Sequence, residues 1–247
     1  MEIKGFIENS LLEWQGKLTC VLFLPYCNLR CHYCHAQHLL KPNELESLNR
    51  KDLLDYMRRQ KGWLDGAVIT GGEPVLHEEE LIDLMRDIRD TGLDVMLETN
   101  GTQPKWVKKI IAERWVQRIT MDVKAPLDPV SYEKVAGREV EVEALKTSIK
   151  TIIDSGLPHE FRTTVVPGLV GKEEVAKIAP ALKGADVMAL QNFEPAHCLD
   201  TALHDVMPFM PEEMDEMERL ARGGAEQVLV RGRERGLVAR GAQAAAE

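Results

Sequence analysis

Residues 18–34 read LTCVLFLPYCNLRCHYC, an apolar run that leads directly into a loop rich in cysteine. The run at 18–24 is bounded by turn residues, which predicts a buried strand. The loop holds three of the five cysteines, Cys27, Cys31 and Cys34, in the spacing C-x3-C-x2-C. Thiolates are soft anionic ligands that suit iron–sulfur clusters and zinc. Three of them on one loop can hold three corners of a [4Fe–4S] cluster, which leaves the fourth iron open to a small molecule.

The other two cysteines are weaker candidates for a fourth ligand. Cys20 lies in the predicted strand, roughly 20 Å from Cys27 if the chain stays extended at about 3.3 Å per residue. That separation favours a small core residue. Cys198 is distant in sequence, and spacing alone leaves it open as a ligand. The alternative to a cluster is a zinc site of three cysteines and one histidine, the fourth ligand being His32, His35 or His38.

Length and charge narrow the class of protein. At 247 residues the chain can bury one core, and a single α/β domain fits this length. Forty acidic and 31 basic residues give a net charge of −9, which argues against binding nucleic acid through a basic surface. No signal peptide and no apolar run of about 18 residues is evident, so we expect no membrane partner. Clustered cysteines then indicate metal ligands in a reducing cytoplasm.

Apolar runs and helical periodicities alternate along the rest of the chain. Strands are predicted at about 66–70, 93–98, 116–121, 159–166, 186–191 and 226–231, and helices at about 50–60, 78–90, 103–113, 129–136, 141–155, 172–182 and 211–222. Residues 1–17 predict a short hairpin or extended segment, and the Gly- and Ala-rich tail 237–247 predicts fraying. The predicted strands are separated by predicted helices rather than by short hairpin turns, which favours parallel strands joined by crossover connections. The pattern predicts an α/β fold, an open, partial (β/α)6 barrel of parallel strands, in one domain over 1–247.

Several predicted strands end in residues that could bind a ligand, at the edge where α/β proteins place their sites. Gly71-Gly72-Glu73-Pro74 combines glycines, which let backbone approach closely, with a carboxylate that can accept from an ammonium group. Glu98-Thr99-Asn100-Gly101 follows the next strand, although such letters often form only a turn. Asp122 and Lys124 lie two apart and therefore share a face. They could instead form an ordinary surface ion pair.

The cysteine loop, with the aromatic Tyr33 before its last cysteine, resembles the signature of the radical S-adenosylmethionine (SAM) superfamily. In that superfamily the open iron binds the amino and carboxylate groups of SAM. An electron from the cluster cleaves SAM to methionine and a 5′-deoxyadenosyl radical, which abstracts hydrogen. The resemblance implies that Cys27, Cys31 and Cys34 hold a catalytic [4Fe–4S] cluster. Gly71–Pro74 resembles the second motif of the superfamily, which holds the SAM amino group.

Within the superfamily the chain looks like the glycyl-radical-enzyme activases over roughly residues 2–232, above all the long form of the anaerobic ribonucleoside-triphosphate reductase activating protein. The Asp-x-Lys at 122–124, the fifth strand with Arg162 and the Gln-x-Phe-x-Pro at 191–195 support that likeness. It implies a glycyl-radical enzyme as protein substrate, an external low-potential electron donor, and a monovalent cation beside the SAM site. The implied SAM-binding residues are Tyr33, Gly71, Gly72, Glu73, Pro74, Glu98, Asn100, Asp122, Lys124, Arg162 and Gln191.

Two positions depart from the activase pattern. Pro25-Tyr26 stands where the family more often has a Gly-containing turn, and Glu98 stands where activases have aspartate. These departures bear on the substrate more than on SAM chemistry. Two other functions therefore stay open: a radical SAM enzyme that acts on a small molecule or peptide, and a non-catalytic zinc or iron–sulfur protein.

Overall fold

The computed structural model describes residues 1–238, which form eight strands and seven α-helices. The strands are β1 Gly5–Ser10, β2 Thr19–Leu24, β3 Gly66–Gly71, β4 Asp94–Thr99, β5 Arg118–Asp122, β6 His159–Val165, β7 Ala185–Asn192 and β8 Ala225–Arg231. The helices are α1 Arg50–Arg59, α2 Glu78–Asp90, α3 Pro104–Ala112, α4 Pro129–Ala136, α5 Val142–Asp154, α6 Lys172–Ile178 and α7 Pro211–Ala221. The predicted succession of strands and helices is confirmed.

The strands are ordered β1-β2-β3-β4-β5-β6-β7-β8, the same order as in the chain. Strand β1 pairs antiparallel with β2, so the predicted segment 1–17 contributes one strand whose partner lies beyond residue 17. The pairs β2–β3, β3–β4, β6–β7 and β7–β8 are parallel. The predicted fold class, an open α/β arrangement of parallel strands, is therefore confirmed. Because parallel neighbours end at the same edge, the residues after β2, β3 and β4 come close to one another.

The described residues divide into two compact units that are discontinuous in sequence. Unit 1 comprises Met1–Asn28, Ala36–Thr120 and Lys150–Pro158. Unit 2 comprises Leu29–His35, Met121–Ile149 and the residues from His159 onward. The cysteine loop therefore begins in unit 1 with Cys27 and continues in unit 2 with Cys31 and Cys34. The prediction of a single domain stays a prediction.

The core of unit 1 positions the ends of β2, β3 and β4. Val21 pairs with Val68, which in turn pairs with Met96 on β4. These three side chains are buried with Trp14 in one apolar cluster. Burying one such aliphatic side chain contributes about 1.5–3 kcal/mol. The cluster therefore fixes the strands that deliver the loops after them.

Helix α4 organises part of unit 2. Asp128 caps its first turn, because the carboxylate accepts a hydrogen bond from the backbone N–H of Ser131 at 2.9 Å. Gly137 ends the helix in the left-handed region at φ 64°. The last helical carbonyl, that of Ala136, accepts from the N–H of Arg30 at 2.8 Å. A helix C-terminus therefore holds the second half of the cysteine loop.

Two predicted boundaries differ from the structure. The helix predicted at 172–182 ends at Ile178 and continues as a 3-10 turn over Ala179–Leu182. Pro180 lies in that turn and lacks the N–H that an α-helical hydrogen bond needs. In the tail predicted to fray, residues 237 and 238 are helical, and residues 239–247 lie outside the described part. Among the helices of residues 1–238, none combines the length and the apolar character needed to cross a bilayer.

Candidate functional site

The double glycine after β3 packs against the backbone that leads to Cys27. A Cβ on Gly72 would lie 1.8 Å from the carbonyl oxygen of Tyr26, and one on Gly71 would lie 2.3 Å from that of Leu24. The Tyr26 carbonyl also accepts a hydrogen bond from the N–H of Glu73 at 2.6 Å. Only glycine fits such a close approach. The space that these two positions leave is therefore filled by the chain's own cysteine loop.

Glu73 is 1% exposed and joins the end of β3 to the end of β4. Its Oε1 accepts from the N–H of Val75 at 3.1 Å and from Oγ1 of Thr99 at 2.7 Å. Its Oε2 accepts from the N–H of Asn100 at 2.6 Å. Three donors of the chain therefore hold this buried carboxylate in one position. The predicted role of Glu73 in holding the SAM amino group stays a prediction beside this positioning role.

Asn100 links that network to the cysteine loop. Its Nδ2 donates to Oδ1 of Asn28 at 2.9 Å and lies 3.9 Å from Sγ of Cys27. Its Oδ1 accepts from the N–H and the hydroxyl of Thr102 at 3.0 and 2.7 Å. Asn100 is 4% exposed, so these contacts are shielded from water. The amide therefore orients Cys27 from the end of β4.

Glu98 is the second-last residue of β4, and its side chain contacts the neighbouring strand β3. Its Oε2 accepts from the hydroxyl of Thr70 at 2.8 Å, and the residue is buried. Because successive side chains of a strand point to opposite faces, Glu98 and Thr99 serve different sides of the sheet. Whether Glu98 takes the part of the activase aspartate stays a prediction.

In unit 2, three charged side chains meet after β5. Asp122 accepts from Nε of Arg162 at 2.8 Å and from Nζ of Lys124 at 3.2 Å, using a different carboxylate oxygen for each. The Lys124 and Asp122 side chains are only 12% and 29% exposed, so they do not form the surface ion pair considered above. The trio therefore places two cationic side chains beside one carboxylate.

The electrostatics keep this trio ionised. Burial alone would raise the pKa of Asp122, but the Arg162 and Lys124 cations outweigh it and hold that pKa well below its usual range. Burial alone would lower the pKa of Lys124, but the Asp122 carboxylate outweighs it and the pKa lies well above its usual range. Both groups are therefore charged throughout the neutral pH range.

Two buried phenols accompany the charged trio. The hydroxyl of Tyr132 accepts from the N–H of Lys124 at 3.3 Å. Tyr33, between two loop cysteines, is also buried. Burial raises the pKa of both tyrosines far above the ordinary value, despite the nearby Lys124 cation. Both therefore remain neutral and can present an apolar ring or a hydroxyl to a ligand.

Gly137 is the unit 2 counterpart of Gly72. A Cβ there would lie 2.3 Å from the carbonyl oxygen of Arg30, which is the residue before Cys31. Two features therefore favour glycine at position 137: the left-handed backbone and the close approach of the cysteine loop. The sequence analysis missed it, although a glycine that follows a predicted helix is a recognised signal of a helix end.

Two of the three histidines proposed for a zinc site, His32 and His35, contact other groups of unit 2. Nδ1 of His32 lies 3.0 Å from Oδ2 of Asp200, and Nε2 of His35 lies 2.6 Å from the carbonyl oxygen of Glu194. Cys198 is buried and donates to that same carbonyl at 3.2 Å. Burial raises its pKa to about 11, which disfavours the thiolate that a metal needs.

The ligand chemistry of the cysteine loop fits an iron–sulfur cluster. None of Cys27, Cys31 and Cys34 takes part in a disulfide bond. Cys20 is fully buried in β2 with its pKa raised to about 12 by burial, which confirms it as a core residue. Within residues 1–238, no three Cys, His, Asp or Glu side chains already form a metal-binding group. The assignment of the three cysteines as ligands therefore rests on the number and type of donors in the loop.

Within each unit, contacts join some of the predicted SAM-binding residues. Contacts in unit 1 join Cys27 to the ends of β3 and β4, and contacts in unit 2 join the charged trio to α4 and β6. Pro74 is buried and opens the 3-10 turn that Glu73 caps. Gln191 lies in β7, where it pairs with Thr164 and Arg231. The sequence analysis missed the following contributors: Asn28, Thr102, Tyr132 and Gly137.

Comparison with known proteins places these residues in a family context. The sequence model described as the radical SAM superfamily matches residues 21–179. A protein of Methanocaldococcus jannaschii named as a candidate glycyl-radical enzyme activating enzyme is 29% identical over 238 residues, or 93% of this chain and 95% of the relative. The pyruvate formate-lyase-activating enzyme of Clostridium pasteurianum is 24% identical over 225 residues, covering 85% of this chain and 92% of that enzyme. A Thermococcus kodakarensis protein that carries the name GTP 3′,8-cyclase is 27% identical over 79% of this chain and 63% of its own length.

Solved structures agree on the fold. The crystal structure of Streptococcus suis SuiB bound to the precursor peptide SuiA is similar with a TM-score of 0.65 at 14% sequence identity. The match covers 86% of this chain and 48% of SuiB, so the present chain corresponds to about half of that protein. At this level of identity the likeness concerns the arrangement of strands and helices alone.

Proposed function

Because the chain belongs to the radical SAM superfamily, we propose that it activates a glycyl-radical enzyme, and that this protein substrate is an anaerobic ribonucleoside-triphosphate reductase. The observation that carries the activase proposal is the end-to-end likeness to the M. jannaschii relative, over 93% of one chain and 95% of the other. Such a likeness extends beyond the cysteine loop and includes the strand ends that would contact a substrate. The choice of the reductase rests on the sequence motifs at 122–124 and 191–195.

The cofactors follow from the family and from the ligands in the loop. Cys27, Cys31 and Cys34 would hold three irons of a [4Fe–4S] cluster. When bound, the cluster and SAM supply the chemistry, because an electron from the reduced cluster cleaves SAM to methionine and a 5′-deoxyadenosyl radical that removes a hydrogen atom. An external low-potential donor would reduce the cluster.

The chain's own residues position and shield this chemistry. Gly72 and Glu73 fix the backbone before Cys27, and Asn100 orients the thiol from the end of β4. In unit 2 the SAM carboxylate would bind Lys124 or Arg162, since charge-assisted hydrogen bonds are the stronger ones. Each carboxylate oxygen of Asp122 accepts one hydrogen bond, from Lys124 or from Arg162.

The cluster assignment is tested by anaerobic reconstitution with iron and sulfide. The wild-type chain should bind about four irons per chain with SAM-responsive electron paramagnetic resonance of the reduced cluster. Cys31→Ala should lose the cluster, whereas the matched control Cys20→Ala should keep it, because Cys20 is a core residue of β2. One zinc per chain with no sulfide would contradict the assignment.

The substrate assignment is tested with reduced enzyme, SAM and an anaerobic reductase subunit that carries its glycine loop. We expect a doublet radical signal on the subunit that collapses to a singlet when the glycine α-hydrogen is replaced by deuterium. A subunit whose loop glycine is changed to alanine is the matched control and should give no such signal. A radical on a different glycyl-radical enzyme only would retain the activase function and overturn the choice of reductase.

A small-molecule substrate is the second candidate, favoured by the likeness to the T. kodakarensis protein. The present chain spans less than two thirds of that relative, so a substantial part of the relative has no counterpart in the matched region. Consumption of GTP under the same reducing conditions, with 5′-deoxyadenosine formed and no protein radical, would support this candidate over the activase.

A further inference from the structure

Tyr26 has a backbone conformation that a tyrosine rarely adopts. Its φ is +67°, in the left-handed region, where the Cβ of a bulky residue lies too close to the backbone. Glycine adopts this region without strain. A strained residue persists only where its surroundings over-determine it, and such residues concentrate at functional sites.

Contacts on both sides force the backbone of Tyr26 into this conformation. Its N–H donates to the carbonyl of Leu39 at 2.9 Å, and its own carbonyl accepts from Glu73 at 2.6 Å. The missing Cβ of Gly72 leaves room for that carbonyl. These contacts involve backbone atoms of Tyr26 only. They would be the same with glycine at this position, so they do not account for the aromatic side chain.

Packing does not account for the side chain either. Tyr26 is 47% exposed, whereas Leu24 and Pro25 before it are buried. Its ring lies 6.3 Å from the ring of His77, centroid to centroid, at a tilt of 46°. His77 in turn bonds through Nε2 to the carbonyl of Pro25 at 3.0 Å. The ring is therefore supported on one side and presented to solvent on the other, one residue before Cys27.

We propose that Tyr26 is a contact residue for the protein substrate, and that its ring is retained despite the strained backbone because it anchors the partner beside the cysteine loop. This inference rests on the proposed activase function. A half-exposed tyrosine is a common anchor of protein interfaces, whereas a small cofactor is usually enclosed by buried groups. A glycine has no side chain to be recognised, so the partner must be held by the surface around the reacting residue.

The test compares two left-handed, non-glycine residues of unit 1. Tyr26→Gly should raise the melting temperature by about 2 °C, because it relieves the strain. It should leave the iron content and the partner-free cleavage of SAM by dithionite within about twofold of the wild type, and raise the apparent KM for the reductase subunit at least about fivefold. Tyr26→Phe should restore that KM. The control Arg114→Gly, at φ +58° in an exposed turn, should stabilise the chain similarly without changing the KM.

The outcomes separate the proposal from its premise. An unchanged KM in Tyr26→Gly, with wild-type radical formation intact, would overturn the contact while the activase function stands. A loss of iron or of partner-free SAM cleavage in Tyr26→Gly would also overturn it, because Tyr26 would then serve the cluster or SAM. If the wild-type chain forms no radical on a protein, both the activase function and the protein contact fail.

Discussion

The two halves of the cysteine loop are held by different physical means. In unit 1 the segment Tyr26–Asn28 is fixed by close backbone packing and by a buried network that ends in the neutral amide of Asn100. In unit 2 the segment from Leu29 to Cys34 is fixed by the end of α4, and the neighbouring strand end carries the charged trio of Asp122, Lys124 and Arg162. The first half is maintained by shape and amide hydrogen bonds, and the second lies beside paired charges.

This difference indicates a division of labour. Close backbone contacts at Gly72 and Gly137 set where the thiols lie, and neither contact depends on pH. The charged trio contains two cationic side chains, which can attract an anionic group of a ligand. We therefore expect substitutions at the glycines to affect cluster binding, and substitutions in the trio to affect SAM affinity and the pH dependence of stability.

The largest effect should come from Gly72→Ala. The new Cβ would lie 1.8 Å from the Tyr26 carbonyl, so the cysteine loop must move. We expect a destabilisation of about 3 kcal/mol or more and loss of most bound iron. Gly171→Ala is the matched control, because its Cβ would meet its nearest atom at 3.7 Å. Iron content and the free energy of unfolding in urea are measured for both variants. A Gly72→Ala chain that keeps its full iron content would show that the cysteine loop tolerates the shift.

Gly137→Ala should have the next largest effect and tests the other half. It combines a left-handed backbone with a Cβ that would lie 2.3 Å from the Arg30 carbonyl. Gly156→Ala shares nearly the same φ but meets nothing within 4 Å, so it isolates the backbone cost of about 1 kcal/mol. We expect Gly137→Ala to exceed that control by about 2 kcal/mol and to lose iron, as measured by urea unfolding and iron analysis. Equal values for the two variants would mean that α4 does not hold the loop.

Asp122→Asn should destabilise the chain by about 2–4 kcal/mol, because it leaves two largely buried cations without their partner. The pKa of Asp122 is depressed, so its contribution is complete above the unfolded value near 4 and is lost as the pH falls through the lower folded value. The pKa of Lys124 is raised, so its contribution is complete below about 10.5 and is lost only above that pH.

Urea unfolding between pH 7 and pH 3 checks this prediction. The wild-type free energy of unfolding should fall below pH 4, and the Asp122→Asn curve should be flatter there. Identical slopes for the two chains in that range would contradict the role of the charged trio. SAM affinity measured at pH 7 provides the second readout. Lys124→Met should weaken this affinity more than Asn100→Ala does.

Asn100→Ala should give the smallest effect, about 1–2 kcal/mol, since it removes hydrogen bonds to Asn28 and Thr102 without a clash. Its loss of stability should be the same from pH 7 to pH 3, because no group in that contact titrates there. The matched control is Asn49→Ala, which removes the N-cap of α1 at 2.9 Å from Lys51 and should lose about 1 kcal/mol with full iron. Loss of iron in Asn100→Ala but not in Asn49→Ala would show that Asn100 acts on Cys27. Full iron content in both variants would show that Asn100 stabilises only its own turn.

Sequence reasoning reached the candidate residues more readily than their partners. It selected Glu73 as a carboxylate at a strand end, but the structure shows three donors from the chain around it. It named Arg162 as an implied SAM-binding residue, and the structure pairs its side chain with Asp122. The type of a residue and its place in a pattern are local properties, whereas its hydrogen-bond partners lie up to tens of residues away.

The amino-acid sequence by itself determined the order of strands and helices, the buried strand before the cysteine loop and the resemblance to the radical SAM superfamily. Those properties follow from hydrophobic periodicity and from short motifs, which are written in neighbouring residues. Only the tertiary structure decided that backbone carbonyls approach Gly72 and Gly137 too closely for a side chain. It also decided that Tyr26 has a strained backbone and is half exposed. Close approach and strain are relations between segments distant in sequence, so their physical cause exists only once the chain has folded.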